Sequence, residues 1–283
     1  MKYMGSKARH AKELLPIILK DRKPGQWYVE PFVGGANMID KVDGNRIGND
    51  SHPQLIAMWQ AVVNGWQPPR FVSEDDYLKA KQASKIDAET GYIGFALSFG
   101  GKYFGGYRRD VAGTKGSVDN METQSRRAYE SMLKQSKALI GFIGFGSSYS
   151  GKYFGGYARG NDDKGIPRNY TEESAKNVSG QTPNLIGVDF RCGSYLDMNI
   201  PPESIIYCDP PYAGTTKYAT GGFDHERFWQ WCREKSQEGH KVFVSEYNAP
   251  DDWTCVWEKK VNNSLTKETG SKQGVERLFT YDI

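Results

Sequence analysis

Asp209-Pro210-Pro211-Tyr212 holds the residues of this 283-residue chain best suited to chemistry. Two consecutive prolines fix φ and donate no N–H, so the Asp209 carboxylate and the carbonyls of Asp209 and Pro210 present a rigid row of acceptors. An exocyclic amine carries two N–H donors that match such a row, and Tyr212 adds an aromatic face on which a planar base can stack. Ser204-Ile205-Ile206-Tyr207-Cys208 just before it reads as a compact strand, which sets the tetrapeptide at a strand's carboxyl end, where open α/β sheets bind ligands. Cys208 adjoins the motif and invites comparison with a nucleophilic thiol. Alternation along the strand turns it away from Asp209, as suits a core residue.

A second constellation lies near the N-terminus. Trp27 to Val29 reads as a strand running into Glu30-Pro31-Phe32-Val33-Gly34-Gly35, with a helix expected next. Arg46-Ile47-Gly48-Asn49-Asp50 reads as a second strand ending in an acid, and Pro53 to Asn64 as a helix with Ser51 near its cap. Strand, glycine turn, helix, then strand ending in Asp opens a doubly wound sheet, and the acid after its second strand is placed to bind ribose hydroxyls. Residues 8 to 20 read as an amphipathic helix interrupted at Pro16. Towards the C-terminus, a helix is expected over His225 to Glu238, a strand over Lys241 to Ser245 and a last strand over Arg277 to Tyr281. Ser245-Glu246-Tyr247-Asn248 ends the strand after the catalytic tetrapeptide and is placed to help wall a base pocket. His225 reads as a surface residue at a helix start.

Between the two halves lies an insertion with an internal repeat. Ile93 to Arg109 (IGFALSFGGKYFGGYRR) recurs fifty residues on as Ile143 to Arg159 (IGFGSSYSGKYFGGYAR), and GKYFGGY is unchanged. Two copies are too few for a solenoid, so the segment reads as a duplicated recognition module. Lys102, Tyr103, Tyr107, Arg108 and Arg109 in one copy, and Lys152, Tyr153, Tyr157 and Arg159 in the other, interleave aromatic, basic and glycine residues. That mixture suits phosphate contact, base stacking or base-edge contact; a hairpin whose aromatics cover a small core is the other reading. Arg126, Arg127, Lys134 and Lys137 serve equally as phosphate contacts or helix-surface charges.

Charge supports the polyanion reading. The net charge is only +3, yet residues 91–170 hold 12 basic against six acidic residues, and the first 30 residues hold seven against three. The rest of the chain is therefore −7, and positive charge gathers in the insertion and at the N-terminus. Glycine, at 32 residues, exceeds the average of roughly 7%. No apolar run approaches the ~18 residues of a membrane span, and the N-terminus, with Lys2, Lys7, Arg9, Lys12 and Glu13, lacks a signal-peptide core. A soluble cytoplasmic protein is expected. Cys192, Cys208, Cys232 and Cys255 are widely spaced without CxxC, which gives neither a zinc pattern nor a disulfide framework; buried thiols and no metal are expected.

Taken in order, these motifs resemble the Dam-like DNA adenine N6-methyltransferases, a family common in phages, and the order is that of its alpha group; a restriction-modification partner is left open. Lys2-Tyr3-Met4-Gly5-Ser6-Lys7 resembles the N-terminal cofactor motif, Glu30 to Gly35 the glycine turn, Asn49-Asp50 the acid after the second strand and Asp209 to Tyr212 the catalytic motif. The resemblance implies a Rossmann-like, S-adenosylmethionine-dependent core over residues 1–65 and 185–283, with a target-recognition insertion over 66–184. It implies that Tyr3, Lys7, Phe32, Gly34, Gly35, Asp50 and Asp209 line the cofactor site, with Lys7 near the cofactor's carboxylate and S-adenosylhomocysteine as product. Asp209, Pro210, Pro211 and Tyr212 then methylate an adenine flipped out of double-stranded DNA at a specific site. Two copies of the glycine- and aromatic-rich segment depart from the family pattern. Cytosine N4 methylation uses the same acceptor geometry, but Asp rather than Ser at 209 favours adenine. A DNA-binding regulator without catalysis is the rival from another class, and a monomer and a homodimer both remain open.

Overall fold

The computed structural model describes residues 1–108, 170–212, 223–262 and 273–281. Seven strands form one sheet: β1 (Tyr28–Glu30), β2 (Arg46–Asp50), β3 (Val188–Cys192), β4 (Ile205–Cys208), β5 (Lys241–Glu246), β6 (Thr254–Asn262) and β7 (Gln273–Thr280). Their order is β3-β2-β1-β4-β5-β7-β6. The first five run parallel, in register through Val29↔Ile47, Val29↔Ile206 and Ile206↔Val242, and β7 joins β5 antiparallel through Val244↔Phe279. The helices are α1 (Ala11–Ile18), α2 (Pro53–Val63), α3 (Glu74–Ala83), α4 (Ala88–Ala96), α5 (Tyr170–Leu185) and α6 (His225–Gln237). Among the described residues no helix is long and apolar enough to cross a membrane.

The chain divides into two compact units. One comprises Met1–Met4 with Ala57–Pro183, and the other Gly5–Ile56 with Asn184–Ile283, which includes the whole sheet. Alternation along the strands of the second unit explains its core. Val29, Ile47, Ile206, Cys208, Val242 and Val244 face one side, where α6 lays down Phe228, Trp231 and Cys232 at i, i+3 and i+4 spacing, with Trp229, Trp253 and Phe279 closing the cluster. Each large side chain buried there contributes roughly 1.5–3 kcal/mol. Buried Arg46 pins the entry to β3: its guanidinium donates to the carbonyls of Ile39, Asn184 (2.6 Å) and Ile186 (2.8 Å).

Three expectations change. Helix α1 runs through Pro16 without a break. Lys12 and Pro16 stand together on the exposed side of the helix, so the carbonyl that loses its donor faces solvent. The helix expected after Gly34-Gly35 is one 3-10 turn, Ile39–Lys41, because left-handed φ at Gly34, Ala36 and Gly44 breaks the short stretch before β2. And only Cys208 and Cys232 are buried thiols; Cys192 and Cys255 are exposed.

Candidate active site

Parallel strands share one carboxyl end, and here that end is acidic. Glu30 closes β1, Asp50 closes β2, Glu246 closes β5 and Asp209 directly follows β4. The chain proceeds from β1 outward through β2 to β3, then returns to the other side of β1 for β4 and β5. The order therefore reverses between β1 and β4, and a crevice opens beyond the carboxyl ends of such a pair.

Asp209 sits at that reversal. Its Oδ1 lies 3.0 Å from Lys7 Nζ, and Lys7 Nζ is also 3.6 Å from Glu276 and 4.4 Å above the Tyr212 ring. The Tyr212 hydroxyl donates to Glu276 at 2.8 Å, and the Tyr212 ring meets Tyr247 edge-on at 4.7 Å. Burial pushes the Asp209 carboxyl above the usual carboxylate range, with Lys7 opposing and Glu276 reinforcing the shift. For Lys7, burial works downward, but Asp209 and Glu276 outweigh it and hold the ammonium charged. Lys7 opens a 3-10 turn whose cap, Ser6, accepts from the Ala8 amide and from Asn37 Nδ2 at 2.8 Å, which ties this turn to the segment after the glycines. The resemblance assigns Lys7 to a cofactor carboxylate; in the structure it is drawn onto Asp209.

The glycine turn and Asp50 form one hydrogen-bonded piece. Gly34 N–H donates to Asp50 Oδ2 at 3.1 Å, His52 N–H to Asp50 Oδ1 at 3.0 Å and Val33 N–H to the Asn49 carbonyl at 2.7 Å. Asn49 Nδ2 reaches the carbonyls of Pro31 and Gly193. Gly34 has φ +47, a left-handed conformation in which its lack of Cβ removes the strain. Burial lifts the Asp50 carboxyl to about 6, less than it would without the donors from His52, Gly34 and Ser51. Phe32 packs its ring against Tyr195 (5.2 Å), Phe223 and Phe228.

Sequence reasoning named Glu30 and Glu246 only as members of longer stretches, with no role of their own, and passed over Glu276. Glu30 is fully enclosed, accepts from Tyr28 at 2.9 Å, and burial drives its carboxyl well above the usual range. Glu246 is buried and accepts its neighbour's amide, Tyr247 N–H. Glu276 had a readable signal: alternation along β7 puts it on the face of fully buried Leu278, a charge at a core-facing position. Of the Ser245 to Asn248 stretch, Ser245 hydrogen-bonds Tyr207 at 2.8 Å, while Tyr247 and Asn248 join Gly274, Val275 and Arg277 around a cavity of about 260 Å³. Cys208 and Cys232 face each other in the core, and His225 is the first residue of α6 beside cap Asp224. Among the described residues no group of three or more His, Cys, Asp or Glu side chains is arranged to hold a metal ion.

In the other unit, the first GKYFGGY copy lies in a loop closed by a single antiparallel bridge between Ser98 and Tyr107. Its rings pack inward: Tyr103 against Phe95 (4.8 Å) and Phe104 (4.7 Å), and Tyr107 against Tyr77 (5.4 Å), with the Tyr107 hydroxyl on the Val72 carbonyl. Lys102 is exposed, and Arg108 lies 3.7 Å over the Tyr170 ring. Tyr3 stacks on Phe95 at 5.6 Å. Arg109, Arg126, Arg127, Lys134, Lys137 and the second copy with Lys152, Tyr153, Tyr157 and Arg159 lie outside the described residues. Gly94 on α4 makes room for the packed tyrosine, since a Cβ there would meet Tyr103 at 2.4 Å and Phe104 at 3.0 Å. Gly94→Ala therefore destabilises the protein by about 1–3 kcal/mol despite alanine's better helix propensity. Thermal unfolding of the purified variant checks this; an unchanged midpoint contradicts the packing.

A family model described as D12 class N6 adenine-specific DNA methyltransferase matches residues 3–273. No curated protein matches the chain.

Proposed function

The chain belongs to the D12 class of N6 adenine-specific DNA methyltransferases, and from that premise we propose that it methylates adenine within a short recognition sequence of duplex DNA, using Asp209, Pro210, Pro211 and Tyr212 to hold the base. The observation that carries the assignment is that the Asp209 carboxylate and the Tyr212 ring both meet the Lys7 ammonium, past the end of β4 where the strand order reverses. A base inside a duplex must leave the stack to reach such a crevice, so the target adenine is flipped out. The strand order supports a Rossmann-like core over residues 1–65 and 185–283. Residues 66–184 then form the target-recognition insertion, and the exposure of Lys102 supports a role for it in phosphate contact.

Enzymes of this family use S-adenosylmethionine, which supplies an electrophilic sulfonium methyl. The residues present fit that cofactor in chemistry. Asp50 is a buried acceptor for ribose hydroxyls, and Gly34 and Gly35 give backbone without Cβ; Lys7, paired with Asp209 and Glu276, meets a cofactor carboxylate only by giving up part of that pairing. Phe32 supplies apolar wall beside the turn.

The adenine N6 lone pair is delocalised into the ring, which makes the amine a poor nucleophile. Asp209 and the Pro210 carbonyl accept the two N6–H bonds, which favours a pyramidal nitrogen and stabilises the positive charge that grows there as the N–C bond forms. The two prolines hold both acceptors in place before the base arrives, so positioning supplies part of the rate. Tyr212 stacks the ring, and Asp209, with its raised pKa, is suited to take the proton that N6 must lose.

The decisive test is sequencing that detects modified bases in DNA from cells expressing the chain. N6-methyladenine at one recurring short sequence is expected. Unmodified adenine, or N4-methylcytosine instead, overturns the proposal.

A further inference from the structure

We propose that Glu276, on the antiparallel strand β7, is a positioning residue of the methylation site: its one carboxylate shares Lys7 with Asp209 and holds the Tyr212 ring in place. The inference rests on the reading of Asp209 and Tyr212 given above and adds a residue to it. Glu276 reaches two members of that site at once. It accepts the Tyr212 hydroxyl at 2.8 Å and lies 3.6 Å from Lys7 Nζ, which itself stands 3.0 Å from Asp209 and 4.4 Å from the Tyr212 ring centre. The Glu276 side chain is only 15% exposed and Lys7 only 7%, so these charges act on one another with little screening.

Two consequences follow from the charge arrangement. A single ammonium facing a single carboxylate forms a closed pair that leaves Asp209 a weak acceptor for an incoming N–H. A second carboxylate competes for that ammonium and leaves net negative charge on the acceptor side, and like charge beside like charge strengthens Asp209 as a base. Glu276 therefore keeps Asp209 reactive while Lys7 remains protonated beside it. The Tyr212 ring, in turn, is held at its hydroxyl by Glu276, with Asp209 also in reach, at its face by Lys7 and at its edge by Tyr247. Of these, the hydroxyl contact is the one with the directionality of a hydrogen bond.

Among the described residues, the neighbours of Glu276 in the sheet pair elsewhere. Its strand neighbour Arg277 points to the other face, where it donates to the Tyr247 carbonyl and approaches Glu258 at 3.3 Å. Lys259, opposite Glu276 in the β6–β7 register, pairs with Glu13 instead. The carboxylate is thus directed away from the available surface partner and towards Lys7 and Tyr212.

Two substitutions separate its two roles. Glu276→Gln retains an oxygen that accepts the Tyr212 hydroxyl but removes the charge that competes for Lys7. It is expected to lower kcat about tenfold, as basicity lost at Asp209 is carried into rate, with KM for DNA within about twofold of wild type. Glu276→Ala removes the ring's anchor as well and is expected to raise KM for DNA about fivefold on top of the kcat loss, a fraction of what base–aromatic stacking contributes. Thermal melting run beside the kinetics registers a purely structural role, which would move the midpoint without splitting kcat from KM. Wild-type transfer with Glu276→Gln equal to it in kcat overturns the inference alone. Equal kcat and KM changes in both variants overturn the division of roles. No transfer to adenine by the wild type overturns the parent reading and this inference with it.

Discussion

Asp209→Ala lowers kcat for methyl transfer by about a thousandfold, while affinity for duplex DNA changes by less than about threefold. The size follows from what is removed. Loss of one preorganised hydrogen-bonding group aimed at developing charge costs on the order of 10²–10³ in rate, and alanine also removes the base placed to take the N6 proton. Asp209→Asn keeps the shape and one acceptor oxygen but not the charge, so its loss is smaller, about a hundredfold. Affinity for DNA is carried mainly by phosphate contacts spread over many residues, to which Asp209 does not belong. Single-turnover transfer of a labelled methyl group, set beside fluorescence anisotropy of a labelled duplex, measures both quantities. Full activity in Asp209→Ala assigns the acceptor elsewhere.

The same substitution carries a stability prediction of opposite sign. Burial raises the Asp209 pKa above its unfolded value, so the folded protein binds a proton here more readily than the unfolded chain. The stability this group contributes is therefore present below the unfolded pKa and lost as pH rises through the folded one. At neutral pH the ionised carboxylate is a cost to the fold, and a neutral asparagine relieves it, while Lys7 keeps Glu276 as its partner. Asp209→Asn is expected to melt at or above the wild-type temperature at pH 7 while being catalytically crippled. A strained or desolvated active-site group that lowers stability and supplies function gives this pattern.

How much of this was legible beforehand depended on whether local sequence decides the feature. Strands β1, β4 and β5 could be read because each is a short apolar run closed by a turn or an acid, whereas β2 (Arg46-Ile47-Gly48-Asn49-Asp50) was read from its place after the glycine turn and from its closing acid, and its end at Asp50 was placed to the residue. β3 and β6 escaped because exposed polar residues alternate through them, as in Val188-Asp189-Phe190-Arg191, and strand propensity there is decided by the neighbouring strands. The short turn in place of a helix after Gly35 was set by left-handed φ values at Gly34, Ala36 and Gly44, only two of which are glycines that announce them.

The site divides in the same way. Asp209 and Tyr212 stand next to two prolines, and Asp50 ends a strand, so spacing alone drew attention to them. The pairing of Lys7 with Asp209 joins residues far apart in the chain through the sheet topology, and nothing local encodes it. Glu276 is the intermediate case. Its core-facing position was visible once β7 was known to extend back to Gln273, whereas the strand expected from Arg277 left it outside. In the GKYFGGY loop the composition signalled aromatic and basic chemistry, but only packing distinguishes Tyr103 and Tyr107, which turn inward, from exposed Lys102.

Asp50 supplies the second large effect, on cofactor binding and on its pH dependence. Its carboxyl is held at about 6, with burial the main cause and the amides of His52, Gly34 and Ser51 working against it. Ribose hydroxyls donate hydrogen bonds to the ionised form, so only the fraction ionised is competent to bind, and apparent affinity scales with that fraction. At pH 7 the fraction is close to one; at pH 5 it is about one-tenth, and S-adenosylhomocysteine is expected to bind about tenfold more weakly there. Asp50→Asn abolishes this pH dependence and sets affinity about tenfold or more below that of wild type at pH 7, since it loses the charge and keeps an oxygen for only one of the Gly34 and His52 amides, which donate to different oxygens of Asp50. Asp50→Ala loses more, because Gly34 N–H, donated to Oδ2 at 3.1 Å, is left without its acceptor and the glycine turn loosens with it. For the unliganded fold the sign runs the other way: the raised pKa contributes stability below pH ~4 that is lost as pH rises through about 6. Calorimetry at pH 5, 6 and 7 tests the binding arm, and proton release on binding near pH 6 should appear as a dependence of the measured heat on buffer ionisation enthalpy. Affinity that is flat with pH in the wild type removes Asp50 from the ribose site and leaves it as the brace of the glycine turn.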